Sequence, residues 1–196
     1  MTSLNNSNEK NMIDILIAES FKEIAKTKPI EKITIKEITD RAGVIRPTFY
    51  NHFQDKYQLL EWIVDNEIFL PVLDLVKNKK FENALMDMLY SFEEDKDFYM
   101  NAASLEGQNS FESILRNSIK KVGLIFLNQE ELQNRIPYKW LTVEMLCDFY
   151  CEPLSYAVVD WIKSGMKTPK KDCVDGIIFV STHSPVDVVM FDGKIL

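Results

Sequence analysis

Eight side chains between Thr34 and Lys56 share one kind of chemistry, hydrogen bonding and charge: Thr34, Lys36, Arg46, Thr48, Tyr50, Asn51, His52 and Lys56. They do not make a catalytic set. No nucleophile is spaced with a base, no glycine-rich phosphate loop or metal-ligand spacing occurs, and His52 and His183 are the only histidines. No enzyme, cofactor or metal site is expected. The set can instead hold a polyanion. Short hydroxyls and amides read base edges in a major groove, and cationic or hydroxyl donors at the flanks grip phosphates. Arg46 is the strongest specificity candidate, because a guanidinium can hold O6 and N7 of one guanine.

Such side chains need a scaffold, and Ile33–Leu60 supplies one. Thr34 and Glu37 have capping-box spacing, with Ile33 and Ile38 placed to close a hydrophobic staple over it. Ile35, Ile38 and Ala42 share a helical face. Gly43 then lets the chain leave through a left-handed conformation. Pro47 suits the first turn of a second helix, and Arg46 is the expected cap, since a residue before proline avoids helical angles. Phe49 and Phe53, four apart, face inward. Asp55 caps the next helix, with Gln58 at the reciprocal position. The spacing predicts a helix-turn-helix. A three-helix bundle that never touches DNA would use the same caps and core residues; the outward polar group separates the two readings.

The run Ala42-Gly43-Val44, then Thr48-Phe49-Tyr50-Asn51-His52-Phe53, then Lys56 and Leu59-Leu60 resembles the DNA-binding domain of TetR-type transcriptional regulators. The TFYNHFQDKYQLLEWI run is most similar to regulators of Gram-positive bacteria, including the dihydroxyacetone-kinase activator group. The resemblance implies that Thr34, Lys36, Tyr50, His52 and Lys56 mainly serve the DNA backbone, and that Arg46, Pro47, Thr48 and Asn51 face bases. His52 has a second reading as packing under the linking helix. Ile45 stands where a hydroxyl cap is common in the family. The resemblance also implies a homodimer on a palindromic operator in double-stranded DNA, with a small-molecule effector or a protein partner acting on the C-terminal domain.

The chain of 196 residues is 46% hydrophobic and 27% charged, the composition of a soluble globular protein. No apolar run approaches the ~20 residues of a membrane span, no secretory signal opens the chain, and three unframed cysteines point to the cytoplasm. Net charge is −7, but residues 1–60 carry nine Lys/Arg against eight Asp/Glu, so the acidity belongs to the remainder. Binding depends on the local patch rather than the total.

The expected fold is all-α. Residues 1–11 form a flexible tail, 12–60 the helix-turn-helix domain with its linking helix continuing to about 70, and 71–196 a regulatory and dimerisation domain. The first helix, about Met12–Lys26, shows Ile13, Ile15, Leu16, Ala18, Phe21, Ile24 and Ala25 on one broad face. Pro71 interrupts the linking helix. Phe92, Phe98, Tyr99, Phe126, Trp140, Phe149 and Tyr156 are candidates to line an effector pocket, although core packing is the common fate of any single aromatic. Glu93, Glu94, Asp95 and Asp97 read as a solvated helix junction rather than a carboxylate metal site. Cys147 and Cys151, one turn apart, read as small buried hydrophobes rather than a thiol sensor or half a metal site. Tyr138–Ser164 is apolar on more than one face and so is expected to be buried on two sides; the resemblance implies that it is the helix that meets its counterpart in the dimer, and Pro153 should kink it. Pro169–Ile178 can form a short helix. The stretch GIIFVSTHSPVDVVMFDGKIL, β-branched and proline-interrupted, predicts an irregular or strand-like tail.

Overall fold

The computed structural model describes the backbone of residues 2–126 and 129–183, and the side chains of 12–124 and 131–183. Among these residues the regular structure is helical. The head comprises α1 (Thr2–Ala25), a 3-10 turn (Ile30–Lys32), α2 (Ile35–Ala42), α3 (Arg46–His52) and α4 (Lys56–Ile63). A π-helical segment, Val64–Phe69, continues α4 into the body. The body comprises α5 (Leu73–Lys77), α6 (Phe81–Glu94), α7 (Lys96–Ala103), a 3-10 turn (Gly107–Asn109), α8 (Phe111–Phe126), α9 (Gln129–Arg135), α10 (Val143–Lys163) and α11 (Lys170–Thr182).

The head forms because its apolar residues recur at helical spacing and close on one another. Ile17, Ala18 and Phe21 of α1, Ile38 of α2, Phe49 of α3, and Leu59 and Leu60 of α4 are buried together. Each fully buried large side chain contributes roughly 1.5–3 kcal/mol. α1 begins at Thr2, inside the segment expected to be a loose tail. Its buried face also differs from the expected one: Ile17 is fully enclosed, whereas Ile15 and Leu16 are exposed. A one-residue error in phase is enough for that, because neighbouring positions on a helix lie about 100° apart.

The core runs without a break from the head into the body, through Ile63, Val64 and Ile68 to Leu89, Phe92, Phe98, Tyr99 and Phe111. α8 and α10 lie side by side, joined by Arg116–Glu152 at 2.5 Å and Lys120–Asp148 at 2.6 Å. α10 buries Cys147, Cys151, Val158, Trp161 and Ile162, while Phe149, Tyr150 and Tyr156 stay exposed. The second apolar face expected on this helix is therefore present and uncovered in the single chain. Pro153 is accommodated inside α10.

α11 corrects the sequence reading. Gly176–Thr182, expected as strand or irregular chain, completes a helix of 13 residues. Val174 is buried, and Ile177 and Ile178 pack partly against the core. Tertiary burial thus overrides the β-branched preference, which is weak beside packing. The remainder of the predicted tail, 184–196, lies outside the described residues.

Candidate nucleic-acid interface

The turn is built as its sequence requires. Thr34 Oγ1 accepts the Glu37 N–H at 3.3 Å, and Glu37 Oε2 accepts the Thr34 N–H at 2.9 Å. Lys28 adds a 2.6 Å ion pair, and this ammonium, followed by the Thr34 amide, draws the Glu37 carboxyl down to about 2. Gly43 adopts φ +68°, ψ 25° and donates to Thr39 O, ending α2 in the left-handed conformation. Ile45, not Arg46, is the N-cap of α3, without a side-chain bond. Arg46 is the first helical residue, with Pro47 at the second position. Phe49 is fully buried and packs on Phe53 at 5.8 Å, which in turn meets Trp62 edge-on at 6.0 Å. Asp55 Oδ1 accepts both Tyr57 N and Gln58 N at 2.8 Å. Gln58 reaches Gln54 N rather than Asp55 N.

This frame leaves Arg46, Pro47, Tyr50 and Asn51 exposed along α3, with Thr48 half-buried. Arg46 lies one turn before Tyr50, and Pro47 one turn before Asn51, so the four share one side of the helix. Tyr50 is 56% exposed with its ring edge-on to Phe49; core packing does not account for it. Thr34 and Lys36 are exposed on the first turn of α2, Lys36 in a loose 3.8 Å pair with Asp40.

Two of the expected contacts sit differently. The His52 side chain is 8% exposed, and its Nδ1 lies 2.6 Å from Asp14 Oδ1 on α1. It ties α3 to the first helix, a partner other than the linking helix of the packing alternative. The Lys56 ammonium donates to the carbonyls of Glu31 and Ile33 at 2.6 and 2.9 Å, and burial lowers its pKa. It closes the 3-10 turn against the start of α4. Asp14 gave no signal in the sequence, because nothing local marks a carboxylate 38 residues from its histidine.

The body departs further from expectation. Phe92, Phe98 and Tyr99 are core residues in edge-to-face contact, with ring centroids at 4.8 Å (Phe92–Tyr99) and 5.0 Å (Phe98–Tyr99). They line neither the α10–α11 groove nor the apolar cavity beside α8. Trp140 is 65% exposed and lines neither of these two, and the Phe126 side chain lies outside the described residues. Phe149 and Tyr156 border an open groove of about 790 Å³ between α10 and α11. A smaller apolar cavity, about 430 Å³ and as open to solvent as the groove, lies between the π segment, α6, α8 and α11 and is lined mainly by aliphatic residues, with Phe69 and Phe81, none of which the sequence assigned to a pocket. Aliphatic residues that line a cavity have the same helical periodicity as those that fill a core. Gly123, mid-helix beside it, was the available cue.

Head and body are joined by polar contacts. Lys22 of α1 is buried and pairs with Glu67 of the π segment at 2.8 Å and with Asp95, between α6 and α7, at 2.6 Å. Burial opposes this charge, but the hydrogen bonds it donates to Asp95 and Glu67 outweigh that and hold the ammonium above its ordinary value. The acidic run is thus not a uniformly solvated junction: Asp95 faces Lys22, and Glu93 pairs with Lys170. Asn101 of α7 accepts Ile30 N and donates to Ala25 O and Lys28 O, closing the end of α1. Cys147 and Cys151 are buried thiols; burial raises both, Cys151 to about 11. Among the described residues no group of three or more His, Cys, Asp and Glu is placed to hold a metal ion. No helix among them is long and apolar enough to cross a membrane.

The family profile for bacterial regulatory proteins of the tetR family matches residues 19–63, the head from α1 to the end of α4. A TetR-type profile, described as a transcriptional regulator C-terminal region, matches residues 79–181, more than half of the chain. The chain belongs to the TetR family. It is a transcriptional regulator built on a helix-turn-helix head, and regulators of this family bind DNA, typically dimerise and are generally not enzymes. Over 84 residues it is 31% identical to the HTH-type dhaKLM operon transcriptional activator DhaS of Lactococcus lactis subsp. lactis (strain IL1403). That match covers 43% of this chain and 45% of the relative, so it spans about half of the curated protein's length. The solved dihydroxyacetone kinase operon activator DhaS superposes with a TM-score of 0.58 at 20% identity, covering 86% of this chain and 93% of that one. A TetR transcriptional regulator from Streptococcus agalactiae 2603V gives 0.58 at 18% identity over 91% and 98% of the two chains. NalD, the secondary repressor of the MexAB-OprM multidrug efflux pump in Pseudomonas aeruginosa, gives 0.52 at 13% over 88% and 94%. These structures share the fold.

Proposed function

We propose that the protein is a homodimeric repressor whose α3 enters the major groove of a palindromic operator, and whose operator affinity is set by a small molecule held in the body. The exposed row Arg46, Pro47, Tyr50 and Asn51 on a helix locked by Phe49 and His52 carries the DNA reading. In it, Arg46, Pro47, Thr48 and Asn51 face bases, and Thr34, Lys36 and Tyr50 hold phosphates. His52 and Lys56 act beside them by fixing α3 and the start of α4. The uncovered apolar face of α10 and α11, with Phe149, Tyr150, Tyr156 and Val180 exposed, supports a second copy as partner. Its membership of a family of bacterial DNA regulators supports a cytoplasmic location.

Control by a ligand is supported by the π segment. Phe69 lines the 430 Å³ cavity, and Glu67, two residues earlier, holds Lys22 of α1. A ligand alters DNA affinity only if it binds the competent and incompetent shapes unequally, and this segment is where a shape change would reach both. A second reading has a specific observation behind it. The sequence likeness to DhaS, named as an activator, together with exposed Tyr138, Trp140 and Phe149, supports regulation by a protein partner instead.

Footprinting on the protein's own upstream DNA, with a salt titration, tests the main reading. A protected inverted repeat whose affinity falls steeply with salt is the expected result. Absence of protection at moderate salt, with and without candidate effectors, would sink it. Arg46→Ala should lose about 1–3 kcal/mol of discrimination at one base pair. Equal loss on all sequences would assign Arg46 to phosphate.

A further inference from the structure

We propose that the cavity between the π segment, α6, α8 and α11 takes an uncharged, predominantly apolar small molecule, with at most one hydrogen-bond donor directed at the end of α11. The inference rests on the reading of the body as a ligand-controlled domain and names the chemistry of its ligand. At about 430 Å³ the cavity lies within the ~300–1,000 Å³ typical of small-molecule sites.

Among the described residues its lining has no charged side chain. Phe69, Leu85, Met88, Val122 and Leu154 supply apolar walls. The polar side chains at its edge are Ser181 and Thr182, whose hydroxyls already donate to Ile177 O at 2.7 Å and Ile178 O at 2.8 Å. Their protons are engaged, so each hydroxyl offers only lone pairs to a ligand. A carboxylate or phosphate would lose much of its water with neither counter-charge nor donor to meet it, and an ammonium would find hydroxyl lone pairs but no counter-charge, which disfavours binding of either. A polyhydroxylated molecule meets the same objection, one unsatisfied hydroxyl at a time.

Gly123 adds an independent observation. It sits inside α8 without a positive φ, and a Cβ built on it would meet nothing within 4 Å. Neither backbone conformation nor close packing calls for glycine there, although glycine weakens a helix relative to alanine. What its missing side chain leaves is open volume beside the cavity. Met88 on the facing helix is flexible enough to adapt to different apolar shapes.

The test uses the full-length protein and the neutral fluorophore N-phenyl-naphthylamine, with decanol and decanoate as competitors at pH 7.5. The expected result is saturable binding, displacement by decanol, and displacement by decanoate about tenfold weaker or worse. Gly123→Leu, which fills the cavity, should lower probe affinity about tenfold while melting no lower than the parent. Equal potency of decanol and decanoate would overturn the proposal. So would undiminished probe binding by a folded Gly123→Leu, which would locate the probe elsewhere, such as the α10–α11 groove. Probe binding that appears only after removal of residues 184–196 would give the cavity to the chain's own C-terminal residues and equally overturn it. Because binding is read without DNA, its failure leaves a positive footprint standing, and a failed footprint leaves measured binding standing.

Discussion

Replacing Lys22 by methionine tests how head and body are held together. The side chain is 8% exposed and its ammonium touches Glu67 at 2.8 Å, Asp95 at 2.6 Å and, more loosely, Glu19 at 3.3 Å. Removing one partner from a fully buried ion pair costs about 3–5 kcal/mol, because the remaining charge is stranded, whereas an exposed pair is worth about 0–1 kcal/mol. Glu67 and Asp95 keep 31% and 27% of their side-chain surface in water. Screening through that surface puts the expected loss between the two, at about 2–3 kcal/mol. The methionine retains most of the lysine's apolar stem, so the loss reports charge rather than packing.

Urea unfolding at two pH values separates this account from a packing defect. Burial already raises the Glu67 carboxyl, partly offset by Lys22. Without Lys22 it should rise further. A carboxyl raised in the folded state favours folding where it is protonated and costs stability as pH climbs through its folded value. The deficit of Lys22→Met should therefore be largest at pH 7.5 and shrink toward pH 5, by about 1.4 kcal/mol per unit of further shift once Glu67 protonates. Lys22 itself is raised above its ordinary value, so its own contribution is intact throughout that range and lost only at strongly alkaline pH. Adding Glu67→Gln to the variant should restore part of the loss at pH 7.5. A deficit below about 0.5 kcal/mol, or one that grows toward acid, would refute the reasoning.

Asn101→Ala removes three hydrogen bonds that tie α7 to the end of α1, leaving Ile30 N–H and two carbonyls without this partner; urea unfolding should show a loss of about 2–3 kcal/mol. Tyr99→Phe should behave oppositely, since the Tyr99 hydroxyl is buried with no partner among the described residues; the midpoint should hold or rise, by up to about 1 kcal/mol. Cys147 and Cys151 should resist a thiol reagent at pH 8 in the folded protein and react once it is unfolded, because burial keeps both protonated and enclosed. Rapid labelling of the native protein at these two positions would contradict the burial argument.

The parts of this protein that could be read from its sequence are those whose determinants are local. The Thr34–Glu37 box, the Gly43 exit and the Phe49–Phe53 pair each lie within five residues, and the structure reproduces all three. Where a cap depended on competition between neighbours, the reading slipped by one residue, placing it at Arg46 instead of Ile45. The body was harder for a physical reason. Apolar periodicity reports that a residue is covered, not by what. The same pattern therefore places Phe92 in the core, Phe149 on an open face and Leu85 beside a cavity. The contacts that couple the halves join residues 45 and 71 apart, as in Lys22–Glu67 and Ile30–Asn101, and no window of sequence contains both partners.

The π segment gives these scattered contacts a common geometry. Leu70 N bonds Asp65 O, five residues back, rather than four, and Pro71 follows at once, unable to supply the next donor. Within those few residues Asp65 accepts from Ser118 and Lys121 of α8, Glu67 holds Lys22 of α1, and Phe69 faces the cavity. An α-helix would stack successive turns through regular i→i+4 bonds, whereas the wider turn redirects the side chains that follow it. Under the proposed function, a ligand pressing on Phe69 would move Glu67 relative to Lys22. A head held by a buried charge network tolerates little such displacement before it must rotate as a unit. Lys22→Met should then weaken the dependence of operator affinity on the effector more than it weakens operator affinity itself, measured by titrating DNA with and without a saturating ligand. Unchanged coupling in a folded Lys22→Met would remove this segment from the path between cavity and DNA.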